Sequence, residues 1–297
     1  MFRVPVCSRR GCNFAPAHRI WAEKRDPYGP RRTEILKAVL VLFVLLGSSA
    51  LGRVVYPLLS EHHRSREVID FVRLVIAMLV TFAALVLGLL TTSVKASYDK
   101  VGTDLSSLSI SLIQLDQCLR EWGEDAVPIR KRLRAYTAAT IATTWTDEPR
   151  PPGDYYPTDV PTIHGSEVEG AVLDDILTRV EFDIRELEPR DPMHSRLETT
   201  CIAQYERLMQ TRWRLIEEAR SSISTPFFVV LIFWLAVVFG AFGLNAPHNL
   251  LSYVMIALAA LSIGSAIFVI LDLDHPFGGI FTVSSEPLRH ALAHLSE

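Results

Sequence analysis

The sequence predicts an all-α membrane protein in which four transmembrane helices form two hairpins joined by a cytoplasmic helical bundle. Three observations carry that reading. Four apolar runs, 35–51, 74–94, 227–244 and 250–271, are free of charge through their central stretches, and each is near the roughly 20 residues that take a helix across a hydrocarbon core of about 30 Å. The long segment between the two pairs is polar but carries apolar residues at helical spacing, with no alternating strand pattern. Composition agrees: 49% hydrophobic residues and a mean hydropathy of +0.24 exceed a typical soluble domain, while the 21% of charged residues concentrate outside the runs.

Residues 1–34 form a basic tail with Arg3, Arg9, Arg10, Arg19, Lys24, Arg25, Arg31 and Arg32, punctuated by Pro5, Pro16, Pro27 and Pro30. It reads as disordered or as an over-extended start. The first run lies too deep and is too long for a signal peptide, although Gly47 to Ala50 lend it weak cleavage-site character. It reads as a retained helix, and 35–95 as the first hairpin.

The second run does not stop at the membrane surface. From Lys95 to Trp122 there is no proline and one glycine, Gly102, so the span is expected to continue as an arm projecting roughly 35–40 Å. Val101, Leu105, Leu108, Leu112, Leu115, Leu119 and Trp122 follow one another at alternating spacings of four and three, the seam of a helix packed along its length.

Gly123 ends the arm, and Pro128 suits the first turn of a helix carrying Ile129, Leu133, Tyr136 and Thr140 towards Trp145. Prolines at 149, 151, 152, 157 and 161 then enforce a loop over 147–161. A third helix is expected over 166–187, with Ser166 and Glu169 as a capping box and Leu173, Ile176, Val180, Ile184 and Leu187 on one face. A fourth, over 193–222, has a more polar seam of Leu197, Cys201, Gln204, Leu208, Thr211 and Leu215, and should run straight toward the third span, where Pro226 marks the entrance. The cytoplasmic region is thus 96–224, the second hairpin 225–272, and 273–297 a turn followed by a short helix from Ser284 or Ser285 to Leu295.

Charge fixes an expected orientation. Besides the basic tail, Lys95, Lys100, Arg212, Arg214 and Arg220 flank the membrane ends of the central region, whereas the loop between the third and fourth runs has no Lys or Arg. The positive-inside bias puts the N-terminus, central region and C-terminus in the cytoplasm, although Arg53, Arg64, Arg66 and Arg73 in the first outer loop pull the other way. A net charge of −3 and a pI near 6.3 give no basic field for nucleic acid.

Chemistry-bearing motifs are sparse. Cys7, Cys12, Cys118 and Cys201 make neither a disulfide framework nor a zinc pattern and read as reduced cytoplasmic thiols. His62 and His63 read as loop residues, His164 and His194 have no spaced nucleophile, and Asp174 with Asp175 reads as a solvated helix face. No hydrolase, zinc-protease, phosphate-loop or dinucleotide motif is present, so no enzyme and no cofactor is expected.

Two places stand out. Ala77, Thr81, Ala84, Gly88 and Thr91 form a stripe of small and hydroxyl residues on the second span. Tight packing inside one subunit is the plainer reading of such a stripe; bordering a pore in an oligomer is the other. In the pore reading Leu79, Phe82, Val86 or Leu90 would supply an apolar constriction. The second place is the exit of the fourth span, where Asp272 and Asp274 precede Pro276, Phe277, Gly278 and Gly279. Its carboxylates could hold calcium, against the plainer reading of a structural turn.

The run Leu87-Gly-Leu-Leu-Thr-Thr-Ser-Val-Lys-Ala-Ser-Tyr-Asp99, the pair Phe233-Trp234, Asp272-Leu-Asp-His-Pro-Phe-Gly-Gly279 and Ser284-Ser-Glu-Pro-Leu288 resemble the bestrophin-like family of bacterial membrane proteins, a domain of unknown function, over about 35–295. More distantly the layout is similar to bestrophins, pentameric anion channels with a pore lined by the second span. The resemblance implies a homo-oligomer in the bacterial cytoplasmic membrane and a pore for anions. Two departures stand against a full analogy: Gly279-Ile-Phe-Thr-Val replaces the acidic cluster that clasps calcium in eukaryotic bestrophins, and Lys100-Val101 stands where an aromatic-rich Arg-Trp pattern would be. The competing expectation is a non-conducting membrane anchor or sensor whose cytoplasmic bundle binds a protein partner through the proline-rich loop.

Overall fold

The computed structural model describes residues 30–58, 66–152, 166–220, 223, 225–247 and 249–297. The basic tail, His62, His63, His164 and the latter part of the proline-rich loop lie outside the described residues. Eight α-helices are described: α1 (Pro30–Val55), α2 (Arg66–Trp122), α3 (Val127–Thr144), α4 (Ser166–Glu186), α5 (Pro192–Glu218), α6 (Thr225–Asn245), α7 (Leu250–Leu273) and α8 (Glu286–Ser296). The described residues contain no strand. Four helices are long and apolar enough to span a membrane: α1, the first half of α2, α6 and α7.

In the membrane part, α1 packs on α6 and α7, and α2 lies beside α6 and α7. Val41, Leu45, Ala83, Leu231, Leu235, Phe239, Ala260, Ile267 and Leu271 make the buried centre. With no water to expel from between helices in lipid, close backbone approach must supply the attraction. It does so between α1 and α6, where a Cβ on Gly52 would lie 2.0 Å from the Gly240 carbonyl oxygen and one on Gly243 would lie 1.9 Å from that of Ser49. The Ser48 hydroxyl also donates to the Ala236 carbonyl at 2.5 Å. Ala236 and Gly240, a pair too common in membrane helices to mean much by itself, thus sit on a real helix contact.

α2 is one unbroken helix of 57 residues, about 85 Å long, because nothing between Arg66 and Trp122 interrupts its hydrogen-bond ladder. It stops at Gly123, whose φ of 104° lies in the left-handed region. All seven seam residues from Val101 to Trp122 are buried. They pack against antiparallel α5, with α8 and α3 also against the arm. Buried Asp116 accepts from Arg130 at 2.7 and 3.1 Å and from Arg120 at 3.0 Å, so this carboxylate is compensated by two guanidinium groups.

α3 starts with Pro128 in its first turn. The side chains of Ser166 and Glu169 lie outside the description, whereas Asp191 caps α5 by accepting from the Met193 and His194 amides at 2.8 Å. Glu148 in the first part of the proline-rich loop pairs with Arg289 at 2.9 Å and accepts from Ser285, binding the described end of that loop to α8.

Two expectations are corrected. α5 ends at Glu218 rather than running on to the third span: Ala219 and Arg220 close a tight turn, and Glu218 is drawn back to Lys100 and to the Ser97 hydroxyl on α2. Cys118 and Cys201, expected to have no pairing, are brought together, and in this structure they are joined as a disulfide with a Cα separation of 5.6 Å. Asp174 and Asp175 lie on an exposed helix face, as expected, where Asp174 also pairs with the buried Arg212 guanidinium and Asp175 with the surface Arg179.

Candidate functional site

The exit of α7 is built around Asp272. Its side chain is 1% exposed, and its two oxygens accept the Ile280 and Phe281 backbone N–H groups, each at 2.8 Å. The turn must come this close, and only glycine lets it: a Cβ on Gly279 would lie 2.7–2.8 Å from the carboxylate atoms. Asp274 points elsewhere and accepts the Ile223 N–H at 3.2 Å, holding the α5–α6 connection. Pro276 accepts from Val283 at 2.8 Å, and Phe277 meets Trp145 edge to face at 5.4 Å. The Trp145 indole N–H in turn donates to the Val283 carbonyl at 2.7 Å.

Asp272 and Asp274 therefore do not converge on a common point. Each faces backbone donors, whose partial positive charge opposes a cation at the same lone pairs. Among the described residues no group of three or more His, Cys, Asp or Glu is placed to hold a metal. The chemistry available at this exit is that of a knot tying α7, α8, α3 and the α5–α6 connection together.

The second place, the stripe on α2, faces away from the rest of the described chain. Ala77, Thr81, Ala84, Gly88 and Thr91 are all exposed, and nothing lies within 4 Å of where a Gly88 Cβ would be. The side of α2 that packs inside the subunit runs instead through Ala83, Val86, Leu87, Leu90 and Val94. Thr81, Thr91 and Thr92 donate their hydroxyl protons to the Ala77, Leu87 and Gly88 carbonyls at 2.7–2.9 Å, leaving oxygen lone pairs outward.

The apolar set divides. Phe82 is 47% exposed, Leu79 is half-buried, and Val86 and Leu90 are turned to the subunit core. The large outward side chains alongside Phe82 are Leu85 and Leu89, 60% and 65% exposed, and both were missed. A signal for them exists: extending the arm's seven-residue repeat back from Val101 gives Val94 and Leu87 as the inward line, which leaves Leu85, Leu89, Thr92 and Ala96 opposite. Beyond the membrane the outward line is largely polar, with exposed Asp99, Thr103 and Gln117 and half-buried Ser107 and Gln114, interrupted by Ile110, which is 55% exposed.

The exit of α7 adjoins the continuation of α2 below the stripe. Ser97, Tyr98 and Val101 of α2 line one crevice with Glu218, Arg220, Leu273, Asp274 and Pro276. Burial raises the Tyr98 phenol above its usual pKa, opposed by the Lys95 ammonium, and Lys95 is itself paired with Asp99. Deeper in the bundle, burial pushes Tyr205 up to about 12, and its hydroxyl donates to the Leu177 carbonyl at 3.0 Å.

A family model described as Bestrophin-like domain matches residues 41–288. Two crystal structures of mutants of a bacterial bestrophin homologue from Klebsiella pneumoniae are similar in fold. One has a TM-score of 0.60 at 12% identity, covering 88% of this chain and 100% of that one; the other has a TM-score of 0.56 at 13% identity, covering 86% and 97%. Comparison with curated proteins gives no match. Since the family model spans most of its length, this four-span helical chain belongs to the Bestrophin-like family.

Proposed function

We propose that the protein is a homo-oligomeric, anion-permeable channel of the bacterial cytoplasmic membrane, with the outward face of α2 around the pore axis. The observation that carries this is the uncovered face of α2. It is apolar and exposed at Phe82, Leu85 and Leu89, becomes largely polar below Thr91 with exposed Ile110 among the polar residues, and in its membrane part no element of the described chain packs over it. A ring of such apolar side chains from several subunits would form a constriction able to close by dewetting. The stripe of Ala77, Ala84 and Gly88 beside it would let neighbouring α2 helices approach. No acid lies on α2 between Asp70 and Asp99, so nothing in the membrane part of that face favours cations. Lys95, Lys100, Arg214 and Arg220 at the membrane ends of the bundle support a cytoplasmic central region and cytoplasmic termini. The fourfold-run layout and the family membership support the same reading.

The test is halide flux into liposomes holding the purified full chain, with the oligomeric state measured in the same detergent. A multimer with flux that rises several-fold on Leu85→Ala or Leu89→Ala is expected, with Val86→Ala acting on stability instead. A monomer that carries no flux would refute the proposal and leave the anchor or sensor role in its place.

A further inference from the structure

We infer that Cys118 and Cys201 are a reversible redox modification site that clamps the α2 arm to α5 when oxidised. The inference rests on the cytoplasmic placement proposed above and adds to it a chemical input. Cys118 lies near the distal end of α2 and Cys201 on α5, 83 residues apart in sequence, with Cα atoms 5.6 Å apart. That spacing is what a disulfide requires, so the bond closes without backbone movement. Both helices are already held in register, by the leucine seam and, at the membrane end, by Lys100 and Ser97 on Glu218. The charge bias places the pair in a reducing compartment, where a structural disulfide has no reason to persist and a dithiol is the resting state. Geometry that admits the bond and a compartment that removes it together describe a switch.

Cys118 is 6% exposed and Cys201 0%, so a small oxidant is required and Cys118 is the sulfur it reaches first. With hydrogen peroxide, the Cys118 thiolate attacks one peroxide oxygen, the O–O bond breaks, and a sulfenic acid and one water form. The Cys201 thiolate then attacks the sulfenic sulfur, the S–O bond breaks, and the hydroxide leaves as a second water. Two thiols lose two electrons and one peroxide is reduced to two waters. A small dithiol reverses the step by exchange. Since α2 is continuous from Cys118 to the outward face in the membrane, the bond fixes the lower end of the helix that carries that face.

The test counts thiols in the full chain, in native membranes of the bacterial host, in a Cys7→Ser, Cys12→Ser background so that only this pair reacts. After quenching in denaturant, a maleimide-polymer label should add twice in cells as grown, not at all after peroxide, and twice again after dithiothreitol. Two additions retained through peroxide would overturn the inference, as would none in cells as grown, which would mark a permanent bond. Cys118→Ser should show one addition before and after peroxide; loss of that addition would mean Cys201 oxidises by itself and overturn the pairing. The oxidised protein should also melt higher than the reduced one by roughly 5–15 °C, and equal melting would overturn the clamp. None of these readings uses flux, so failure of the channel proposal remains separate.

Discussion

Replacing Asp272 by Ala removes a carboxylate that accepts two backbone N–H groups at 2.8 Å. Hydrogen bonds to a charged group contribute about 1.5–3 kcal/mol each, so the gross loss is about 3–6 kcal/mol. Part is offset because the buried charge no longer has to be desolvated, and because Ile280 and Phe281 are exposed residues whose freed amides can reach water. The net cost is about 2–4 kcal/mol, or a fall of roughly 5–15 °C in the melting of the detergent-solubilised protein. Gly279→Ala should cost a similar amount, since its Cβ would lie 2.7 Å from Oδ2 and the carboxylate cannot retreat without surrendering its amides. The decisive measurement is the double mutant. With Asp272 truncated the Gly279 methyl has room, so the pair should be no less stable than Asp272→Ala alone, a coupling of about 2–4 kcal/mol, the whole cost of Gly279→Ala. Additivity to within about 0.5 kcal/mol would refute the reasoning. So would a wild-type melting temperature that rises with calcium and loses that response in Asp272→Ala, because the carboxylate would then be a metal ligand.

Four further outcomes are expected. Gly243→Ala or Gly52→Ala should cost about 3 kcal/mol or more, because each Cβ meets backbone of the facing helix within 2.0 Å; recovery of folded protein after purification checks this, with Gly47→Ala, which meets nothing within 4 Å, as the control. Thr92→Val should leave halide flux within about twofold, since its hydroxyl proton is spent on the Gly88 carbonyl at 2.9 Å and so is not offered to an anion. Backbone N–H groups from His194 and Met193 hold Asp191 below the ordinary carboxylate pKa. Its contribution to stability is therefore full above about 3.9 and lost as pH falls through the lower folded value; Asp191→Ala should flatten the acid limb of a melting-against-pH curve and Asp191→Asn should keep the cap. Tyr205→Phe removes the buried hydroxyl bond to Leu177 at 3.0 Å and should cost about 0.5–1.5 kcal/mol, since the Leu177 carbonyl keeps its place in the α4 helical ladder, read by chemical denaturation.

How much of this was legible in the sequence depends on whether a feature lives in one helix or between two. The α2 arm was legible because its own residues state it: seven apolar positions at alternating spacing, no proline, and a glycine to end it. The four spans were legible for the same reason. Inside the membrane that logic fails, since a helix that is apolar all round offers no polar side to mark outside. Val86 and Leu90 were therefore read as outward when they face α6 and α7, and Leu85 and Leu89 were passed over. Pairwise facts were hidden altogether. Cys118 and Cys201 each fall beside leucines of a helical seam, and only the antiparallel register of α2 on α5, set by Lys100 meeting Glu218 at the other end, brings the sulfurs together. Likewise two carboxylates before Pro-Phe-Gly-Gly announce a special turn but not the direction of its amides: Ile280 and Phe281 aim theirs at Asp272, and Ile223 aims its own at Asp274. That knot shares a crevice with the membrane exit of α2, so a shift of α2 along α5 must be absorbed where Tyr98 and Val101 meet Asp274 and Pro276.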